Sequence, residues 1–405
     1  MTTVSSATDM WPALTTPPYS PLRARVAERL FRRAARDLPV TVVLPGGERI
    51  GRGGPVMRLV RPEAFFHRLG VDAKIGFGEA YMAGDWTSND PAGLLTPFAA
   101  RMAVLIPKPL QVMRRWVDAA RPDDERNTVA GARTNIHRHY DLSNDMFEVF
   151  LDPSMTYSSA WFGEGDDLRS AQLRKIDGIL DLAGVTAGTH VLEIGTGWGA
   201  LAIRAAERGA RVTTLTISAE QKELAERRIA VAGLSRQIQV LLRDYREAQG
   251  SYDAVVSVEM IEAVGAEYWP AYFGTINRLL KPGGQVGLQA ITMPHDRMLA
   301  TRRSYTWISK YVFPGGQLLS LPAVQQNADT VGLQVAVRRQ LGRHYARTLQ
   351  EWRTRFLAGW DQVAAAGFDP VFRRMWEFYL SYCEAGFRSG YLDVWQFGLV
   401  KSDRG

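Results

Sequence analysis

The segment from Thr189 to Gly199 constrains the fold of this chain more than any other stretch. It reads Thr-His-Val-Leu-Glu-Ile-Gly-Thr-Gly-Trp-Gly, an apolar run followed by a glycine-rich turn, and Ala200 then begins a helical pattern. The glycines at alternate positions are Gly195, Gly197 and Gly199. A strand, a tight glycine turn and a helix N-terminus together let the backbone approach a nucleotide-like ligand closely. The sequence therefore predicts a ligand pocket at the end of this strand.

Strand and helix patterns alternate on both sides of this segment. Further strands are predicted at 211–217, 238–242, 252–258 and 285–291, and helices at 168–182 and from Ser218 onwards. Alternation of this kind is typical of an α/β fold with a parallel sheet, whose ligands bind at the carboxyl ends of the strands. We therefore expect a Rossmann-like sheet with the glycine turn at its ligand-binding edge.

Composition narrows the class of protein. The chain has 405 residues, of which 46% are hydrophobic and 22% charged, which is ordinary for a globular protein. We find neither an apolar run of about 18 residues, as a membrane span needs, nor a signal-like start, so a cytoplasmic location is expected. The single Cys383 excludes an internal disulfide framework, and the six histidines have no metal-ligand spacing, so no metal site is expected.

The net charge of +7 suits an anionic partner, either nucleic acid or an acidic membrane surface, although a soluble protein with a mildly basic face explains it equally well. Between Leu22 and Arg36, four apolar residues recur at helical spacing among six arginines. The apolar residues are Leu22, Val26, Leu30 and Phe31. This segment is either a basic amphipathic helix on lipid headgroups or, as we favour, a surface helix docked on its own domain.

Composition shifts divide the chain into four parts. Residues 1–21 are rich in Thr, Ser and Pro and are predicted to be disordered. Residues 22–120 form a smaller N-terminal domain, 121–134 a polar linker, and 135–405 a larger domain that ends in apolar helices between Arg353 and Gly386.

The glycine pattern favours S-adenosylmethionine over a dinucleotide. It is Gly-x-Gly-x-Gly rather than the Gly-x-Gly-x-x-Gly of a pyrophosphate cradle. Glu193, just before the first glycine, can face the cationic amino-acid end of that cofactor, and the Lys281 to Gly284 turn before the last predicted strand fits methyltransferases. The second strand lacks the carboxylate that usually binds ribose hydroxyls, and Thr216, Ser218 and Gln221 are polar substitutes, unless Ser218 only caps the next helix.

Further motifs follow in order along the chain. They are Gly78-Glu79-Ala80-Tyr81-Met82, His139-Tyr140-Asp141-Leu142-Ser143-Asn144, Met155-Thr156-Tyr157-Ser158, Asp244-Tyr245-Arg246, Ser257-Val258-Glu259-Met260-Ile261-Glu262, Tyr311-Val312-Phe313-Pro314-Gly315-Gly316 and Cys383-Glu384-Ala385-Gly386-Phe387-Arg388. Through them the chain resembles the family of cyclopropane-fatty-acyl-phospholipid synthases and mycolic acid cyclopropane synthases over nearly its whole length. Within that family it is most similar to the actinobacterial branch that makes 10-methylene fatty acyl chains.

This resemblance implies a Rossmann-like, S-adenosylmethionine-dependent methyltransferase at 135–405 and a lipid- or membrane-associated domain at 22–120. The expected substrate is the cis double bond of an oleoyl-type acyl chain in a membrane phospholipid. The expected partner is an anionic membrane surface at the inner face of the cell membrane. Nucleic acid is not an expected partner. Cofactor contacts are implied at Tyr157, Ser158, Gly195, Gly197, Thr216, Gln221, Tyr245 and Arg246, to which the residue pattern adds Glu193, Gly199 and Ser218.

Members of the family that form cyclopropanes hold a bicarbonate ion as the base, within a ring of Cys, Glu, His and Tyr. Glu262 and Tyr345 fall on the Glu and Tyr positions, whereas Ser159 and Gln289 replace the Cys and the His. A neutral glutamine cannot carry the positive charge of an imidazolium, so anion binding is expected to weaken. These replacements put bicarbonate and the ring product in doubt, and they leave Glu262 as the leading candidate for the base or its holder, with a structural carboxylate as the alternative.

Methyl transfer to an alkene leaves a carbocation, which needs a dry, aromatic-lined pocket. Tyr305, Trp307, Tyr311 and Phe313 are candidates for this lining, although a packed core explains any one of them as well. A 1,2-hydride shift and loss of a methyl proton would give a methylene branch, the precursor of tuberculostearic acid, on which a separate flavin-dependent reductase is the expected next partner. The alternatives are a cyclopropane synthase and a catalytically silent lipid- or cofactor-binding protein.

Overall fold

The computed structural model of the chain describes residues 11–102, 122, 127–128, 131–132 and 144–401. The chain divides into two compact units. The first contains Met1–Arg121, Arg303–Val312 and Trp352–Tyr391, and the second contains Pro122–Arg302, Phe313–Glu351 and Leu392–Gly405. Most of the predicted linker at 121–134 lies outside the described residues, as do residues 139–143 of the motif that begins at His139.

The helices are α1 (Pro12–Thr15), α2 (Pro21–Arg36), α3 (Pro62–Val71), α4 (Ala73–Ala83), α5 (Pro91–Ala100), α6 (Asn144–Phe150), α7 (Leu168–Leu182), α8 (Ala200–Glu207), α9 (Ala219–Val231), α10 (Trp269–Leu279), α11 (His295–Thr301), α12 (Trp307–Tyr311), α13 (Leu321–Thr330), α14 (Gly342–Ala358), α15 (Trp360–Ala365) and α16 (Pro370–Arg388). The strands are β1 (Thr41–Val43), β2 (Arg49–Ile50), β3 (Val56–Leu59), β4 (Trp86–Thr87), β5 (His190–Ile194), β6 (Arg211–Thr216), β7 (Ile238–Leu242), β8 (Tyr252–Val258), β9 (Leu280–Thr292), β10 (Leu333–Gln340) and β11 (Asp393–Lys401). Short 3-10 turns cover Tyr245–Glu247, Ile261–Ala263 and Ala266–Tyr268.

The first unit combines a four-stranded sheet, in the order β2-β1-β3-β4, with an aromatic core. Phe77 and Phe378 lie with ring centroids 6.3 Å apart, and both contact the fully buried Trp86. Phe378 belongs to α16, which packs against α4 and α5. The predicted larger domain at 135–405 therefore differs from the structure, because 303–312 and 352–391 bury their apolar side chains in the first unit.

The predicted disordered tail needs correction at residues 11–20, which are hydrogen-bonded to the first unit, whereas residues 1–10 lie outside the described residues. The buried Arg68 donates to the carbonyl oxygens of Ala13 and Leu14 at 2.8 and 2.9 Å. Trp11 Nε1 donates to Asp369 Oδ2 at 2.8 Å. These bonds tie the segment down although its sequence is poor in large apolar residues.

Helix α2 docks on its own unit, which was the favoured interpretation, but of the four predicted apolar residues only Phe31 is buried. Ala24, Ala27, Phe31 and Ala35 are buried, whereas Leu22, Val26 and Leu30 are 75%, 54% and 37% exposed. The reason is a close approach to α3, because a Cβ on Gly70 would lie 2.8 Å from the backbone nitrogen of Ala24. Only small residues fit between two helices at that distance.

The second unit contains the predicted α/β sheet, with seven strands in the order β10-β11-β9-β8-β5-β6-β7. The five strands β7, β6, β5, β8 and β9 are parallel, and β11 runs antiparallel between β9 and β10. Since the chain leaves β5 towards β6 on one side and returns to β8 on the other, the carboxyl ends of β5 and β8 form the switch point where such sheets bind ligands. Among the described residues, the structure contains no helix with the length and apolarity that crossing a bilayer requires.

Candidate active site

The glycine turn follows β5 at this switch point. Gly195, Gly197 and Gly199 have φ angles of 100°, 51° and 88°, in the left-handed region that favours glycine. A Cβ on Gly199 would in addition lie 3.3 Å from the Ala225 Cβ. Gly199 is also the N-cap of α8, so the turn opens beside a helix N-terminus. The backbone thus has the close-approach geometry that the sequence predicts.

Glu193 lies in β5 immediately below this turn and is only 3% exposed. Thr214 Oγ1 donates to its Oε2 at 2.6 Å. Burial raises the pKa of Glu193 to about 8, and the Thr214 hydrogen bond and the charge of Lys175 oppose the rise only in part. A cation bound beside this carboxyl would favour its ionised form.

Thr216, Ser218 and Gln221 form one cluster at the end of β6. Thr216 Oγ1 donates to Gln221 Oε1 at 2.8 Å and accepts from the Ser218 backbone at 3.1 Å. Ser218 is the N-cap of α9, since its Oγ accepts from the Gln221 backbone at 3.1 Å. Ser218 therefore caps α9, as the alternative for this residue predicted. The side chains of Thr216 and Gln221 lie beside it at the end of β6, where ribose binding was expected.

Tyr245 and Arg246 follow β7 in a 3-10 turn. Tyr245 is buried, and its hydroxyl has no hydrogen-bond partner among the described residues. Arg246 pairs with Asp244 at 2.6 Å and lies 5.3 Å from the centre of the Tyr268 ring. The ion pair fixes the guanidinium and raises its pKa further.

Tyr157 and Ser158 precede α7. Lys175 of α7 contacts Ser158 and is not among the residues predicted from the sequence. Tyr157 packs edge-on against Phe147, with ring centroids 5.2 Å apart. Ser158 Oγ accepts from Lys175 Nζ at 2.5 Å, and Lys175 is only 1% exposed. Burial lowers the pKa of Lys175 to about 8, against the opposing charges of Glu259, Asp152 and Glu193.

Ser159, Gln289 and Tyr345 converge as the resemblance implies, but they surround Glu259 rather than Glu262. The Ser159 backbone and Gln289 Nε2 donate to Glu259 Oε1 at 2.9 and 2.7 Å. Tyr345 OH donates to Glu259 Oε2 at 2.6 Å. Ser159 and Gln289 are fully buried, while Glu259 is partly exposed. A carboxylate of the chain itself therefore occupies the centre of this ring of donors.

Glu259 has an unusual backbone conformation. It directly follows β8, and its φ of 49° lies in the left-handed region, which costs a non-glycine residue roughly 1–2 kcal/mol. Its backbone N–H donates to the Gln289 carbonyl at 2.8 Å, so the strained residue is held at the edge of the sheet. Strain of this kind persists where the surrounding structure enforces it, often at functional sites.

A second layer of hydrogen bonds fixes the amide of Gln289. Gln289 pairs with Gln396 in the register of β9 and β11, and Gln396 Nε2 donates to Gln289 Oε1 at 3.0 Å. Arg339 Nη1 donates to Gln396 Oε1 at 2.9 Å. Because its oxygen is engaged by Gln396, Gln289 directs its NH₂ group at Glu259.

Glu262 has a different environment. Its Oε1 accepts from the Ile291 backbone at 2.5 Å, and its buried Oε2 has no hydrogen-bond partner among the described residues. Burial, followed by the negative charge of Glu259, raises the pKa of Glu262 to about 8. Burial also raises the pKa of Glu259, but the hydrogen bond from Tyr345 and the charge of Lys175 oppose the rise. Of the two neighbouring carboxyl groups, Glu259 is the one arranged to be ionised.

Two of the four expected aromatic lining residues, Trp307 and Tyr311, belong to the first unit. Trp307 is 3% exposed, with its ring centroid 4.8 Å from that of Phe378. Tyr311 OH donates to Glu79 Oε1 at 2.7 Å. The packed-core alternative therefore describes Trp307, whereas Tyr311 is partly exposed and is held by Glu79.

Several known proteins are similar to this chain. The family model described as mycolic acid cyclopropane synthetase matches residues 128–397. The tuberculostearic acid methyltransferase UfaA1 of Mycobacterium tuberculosis is 48% identical over 97% of this chain and 96% of its own length. The cyclopropane-fatty-acyl-phospholipid synthase of Escherichia coli is 33% identical over 92% of each chain.

Solved structures show the same relationship. The mycolic acid cyclopropane synthase CmaA1, crystallised with S-adenosylhomocysteine (SAH) and CTAB, is 35% identical with a TM-score of 0.62. The cyclopropane synthase MmaA2 of Mycobacterium tuberculosis is 33% identical, also with a TM-score of 0.62. Each match covers 66% of this chain and 98% of the solved one.

Proposed function

This chain belongs to the mycolic acid cyclopropane synthetase family, and we propose that it methylates the cis double bond of an acyl chain in a membrane phospholipid to give a methylene branch. It is an S-adenosylmethionine-dependent methyltransferase. The observation that carries the choice of product is the 48% identity to a tuberculostearic acid methyltransferase over nearly the whole chain, against 33% to a cyclopropane synthase. The ring-forming activity is the less favoured alternative.

The residues at the switch point fit S-adenosylmethionine. The positive φ angles of the three glycines bring the backbone close to the end of β5, and the buried Glu193 offers a carboxyl for a cationic amino group. When bound, this cofactor supplies an electrophilic methyl group and leaves as a neutral thioether. The residues proposed to hold it are Tyr157, Ser158, Glu193, Gly195, Gly197, Gly199, Thr216, Ser218, Gln221, Tyr245 and Arg246.

The proposed chemistry takes place on the acyl chain. The π electrons of the alkene form the new bond to the methyl carbon, which leaves a cation on the other alkene carbon. A hydride then moves with its electron pair from the methylated carbon to that cation, so the positive charge lies next to the new methyl group. Loss of one methyl proton gives the exocyclic double bond. Glu262, Tyr345, Ser159 and Gln289 are the proposed set around this last step.

Proton NMR of the product tests the proposal. Expression in a host that makes oleoyl phospholipids should give lipids with exocyclic vinyl signals and no upfield ring-methylene signals. Intact mass cannot separate the two products, because both have the same composition. Ring signals without vinyl signals would establish the cyclopropane alternative. If purified protein, S-adenosylmethionine and unsaturated vesicles give no turnover, the silent binding protein would be favoured.

We also propose that α2 docks the enzyme on an anionic membrane surface. Leu22, Val26 and Leu30 lie four residues apart and are exposed along one face, with arginines on both sides. A helix with an apolar stripe and a basic border is typical of a segment lying in the membrane interface. The substrate, a phospholipid chain, supplies the reason for such contact.

Vesicle sedimentation tests this docking. Val26→Asp should weaken binding to vesicles containing phosphatidylglycerol about tenfold, the effect of removing roughly 1.5 kcal/mol of apolar burial. Val231→Asp is the matched control, because Val231 is 91% exposed on α9, outside the proposed surface. Equal loss of vesicle binding in both variants, or no loss in Val26→Asp, would contradict the proposal.

A flavin-dependent reductase that acts on the methylene product is a further proposed partner.

A further inference from the structure

We propose that the carboxylate of Glu259 is the base that accepts the methyl proton, in place of an external anion. This inference rests on the proposed reaction only in that the reaction requires loss of a proton from a methyl group. Two features of Glu259 support this role, namely the ring of donors around its carboxylate and its position at the end of β8.

The ring of donors is complete without an added ion. Three hydrogen bonds of 2.6–2.9 Å, from Ser159, Gln289 and Tyr345, end on the two oxygens of Glu259. Hydrogen bonds to an ionised acceptor are the stronger kind, and donors that converge in this way stabilise an anion. A bicarbonate ion would need the same donors and the same space. The side chain of Glu259 thus supplies from within the chain the negative charge that an external anion would bring.

The position of Glu259 brings this carboxylate to the methyl-donor edge of the sheet. The next residue, Met260, lies against the glycine turn, since a Cβ on Gly195 would be 3.4 Å from Met260 Cγ. Glu259 is partly exposed, although Ser159 and Gln289 behind it are fully buried. Fully buried donors therefore hold a residue that is itself partly exposed at this edge.

Glu262 is the competing base, and its environment argues against that role. One of its oxygens is buried without a described donor, which favours the protonated form, and its pKa of about 8 agrees. A protonated carboxyl cannot accept a proton. The fully buried Lys175 adds a positive charge that favours ionisation of Glu259. The two glutamates thus differ in their surroundings, since three donors stabilise the carboxylate form of Glu259 and a single backbone donor contacts Glu262.

The proton transfer balances with this assignment. A C–H bond of the new methyl group breaks, and its electron pair forms the second bond to the adjacent cationic carbon. The proton binds to an oxygen of Glu259, which becomes a neutral carboxyl group. Loss of that proton to solvent restores the carboxylate before the next turnover.

Purified variants assayed on oleoyl-phosphatidylglycerol vesicles test this assignment. Glu259→Gln keeps the shape of the side chain but removes the base, so product formation should fall at least about 100-fold, the lower end of the effect of a general base. SAH should bind this variant with a Kd within about twofold of wild type, measured by calorimetry. Glu262→Gln should lose less than about tenfold. Glu223→Gln, a surface change on α9, is the control for unaltered activity.

Glu259→Gly provides a second, independent readout. Glycine accepts the φ of 49° without strain and opens the ring of donors to a small anion. Added bicarbonate should raise the activity of Glu259→Gly about tenfold or more, and it should leave wild type unchanged. The assignment is overturned if Glu259→Gln keeps more than a tenth of wild-type activity, if wild type depends on bicarbonate, or if Glu259→Gly is not rescued.

The outcome is separable from that of the proposed function. The product made by wild type is read by NMR, whereas the base is read from the variants and from bicarbonate. A cyclopropane product would refute the methylene branch but leave Glu259 as the base, because ring closure also requires loss of a methyl proton.

Discussion

Replacing Tyr345 with Phe removes one hydroxyl from the proposed base site. Tyr345 OH donates to Glu259 Oε2 at 2.6 Å, and this hydrogen bond is the largest effect that lowers the pKa of Glu259. A hydrogen bond to a charged group is worth about 1.5–3 kcal/mol, and one pKa unit corresponds to about 1.4 kcal/mol. The change should therefore make Glu259 harder to ionise.

The sign of the effect on activity follows from the form that works as a base. Only the ionised carboxylate accepts a proton, so the acid limb of the pH profile of kcat should move about one to two units upwards in Tyr345→Phe. At a pH on that limb, the rate should fall about 10- to 100-fold and recover as the pH rises. The assay is SAH release from vesicle substrate across the pH range.

Tyr252→Phe is the matched control. The Tyr252 hydroxyl donates to the Gln249 carbonyl at 3.0 Å, away from the proposed site. Its removal should leave the midpoint of the pH profile unchanged. A rate loss in Tyr345→Phe that is equal at every pH would refute the reasoning, since it would mean that the hydroxyl does not act through the ionisation of Glu259.

Three further variants test other parts of the account. Glu262→Gln should raise Tm more at about pH 8.5 than at about pH 5.5. The pKa of Glu262 rises from 4.5 to about 8 on folding, so the stability of the wild type falls as the pH rises between these two values. An equal change of Tm at both pH values would contradict this. Gly199→Ala should lower the stability by roughly 1–2 kcal/mol, because the φ angle of Gly199 is 88°. Gly274→Ala in α10 should be neutral or stabilising, because a Cβ there would meet open space. Thermal unfolding of both variants measures the difference, and a lower stability of Gly274→Ala would contradict it. Gln396→Leu removes the donor that holds the Gln289 amide, so kcat should fall about tenfold while the affinity for SAH is retained. Initial rates and calorimetry measure the two quantities. A lowered Tm with normal kcat would assign Gln396 a structural role only.

Much of the second unit could be predicted from the sequence. The strands β5 to β8 are short apolar runs bounded by turns, and helix α7 occupies the predicted 168–182. By contrast, β10 and β11 were not predicted. The pairing of Gln289 with Gln396 joins segments more than 100 residues apart, so no local pattern reveals it. This long-range pairing is what fixes the orientation of the Gln289 amide.

The base site could be predicted only in part, because its geometry depends on a backbone conformation that residue types do not reveal. Ser159, Gln289 and Tyr345 were identified through the resemblance, and they do converge. Which glutamate they surround depends on a φ of 49° at Glu259, and residue type gives no sign of that conformation. Two glutamates three positions apart were visible, but their orientations were not.

The face of α2 was mispredicted because hydrophobicity ranked the leucines and Val26 above the alanines. The close approach at Gly70 reverses that order, since a Cβ there would lie 2.8 Å from the Ala24 backbone nitrogen and α3 therefore covers the alanine face of α2. The result is an exposed apolar stripe that the sequence alone would have placed inside.

The position of a deuterium label in the product distinguishes the methylene branch from the cyclopropane ring. Vesicles carrying an oleoyl chain with deuterium on both alkene carbons are incubated with the enzyme and S-adenosylmethionine, and the product is analysed by deuterium and carbon NMR. The account predicts that both deuterons lie on the one carbon next to the methylene-bearing carbon, because one has migrated in the hydride shift. One deuteron on each of two ring carbons would contradict it.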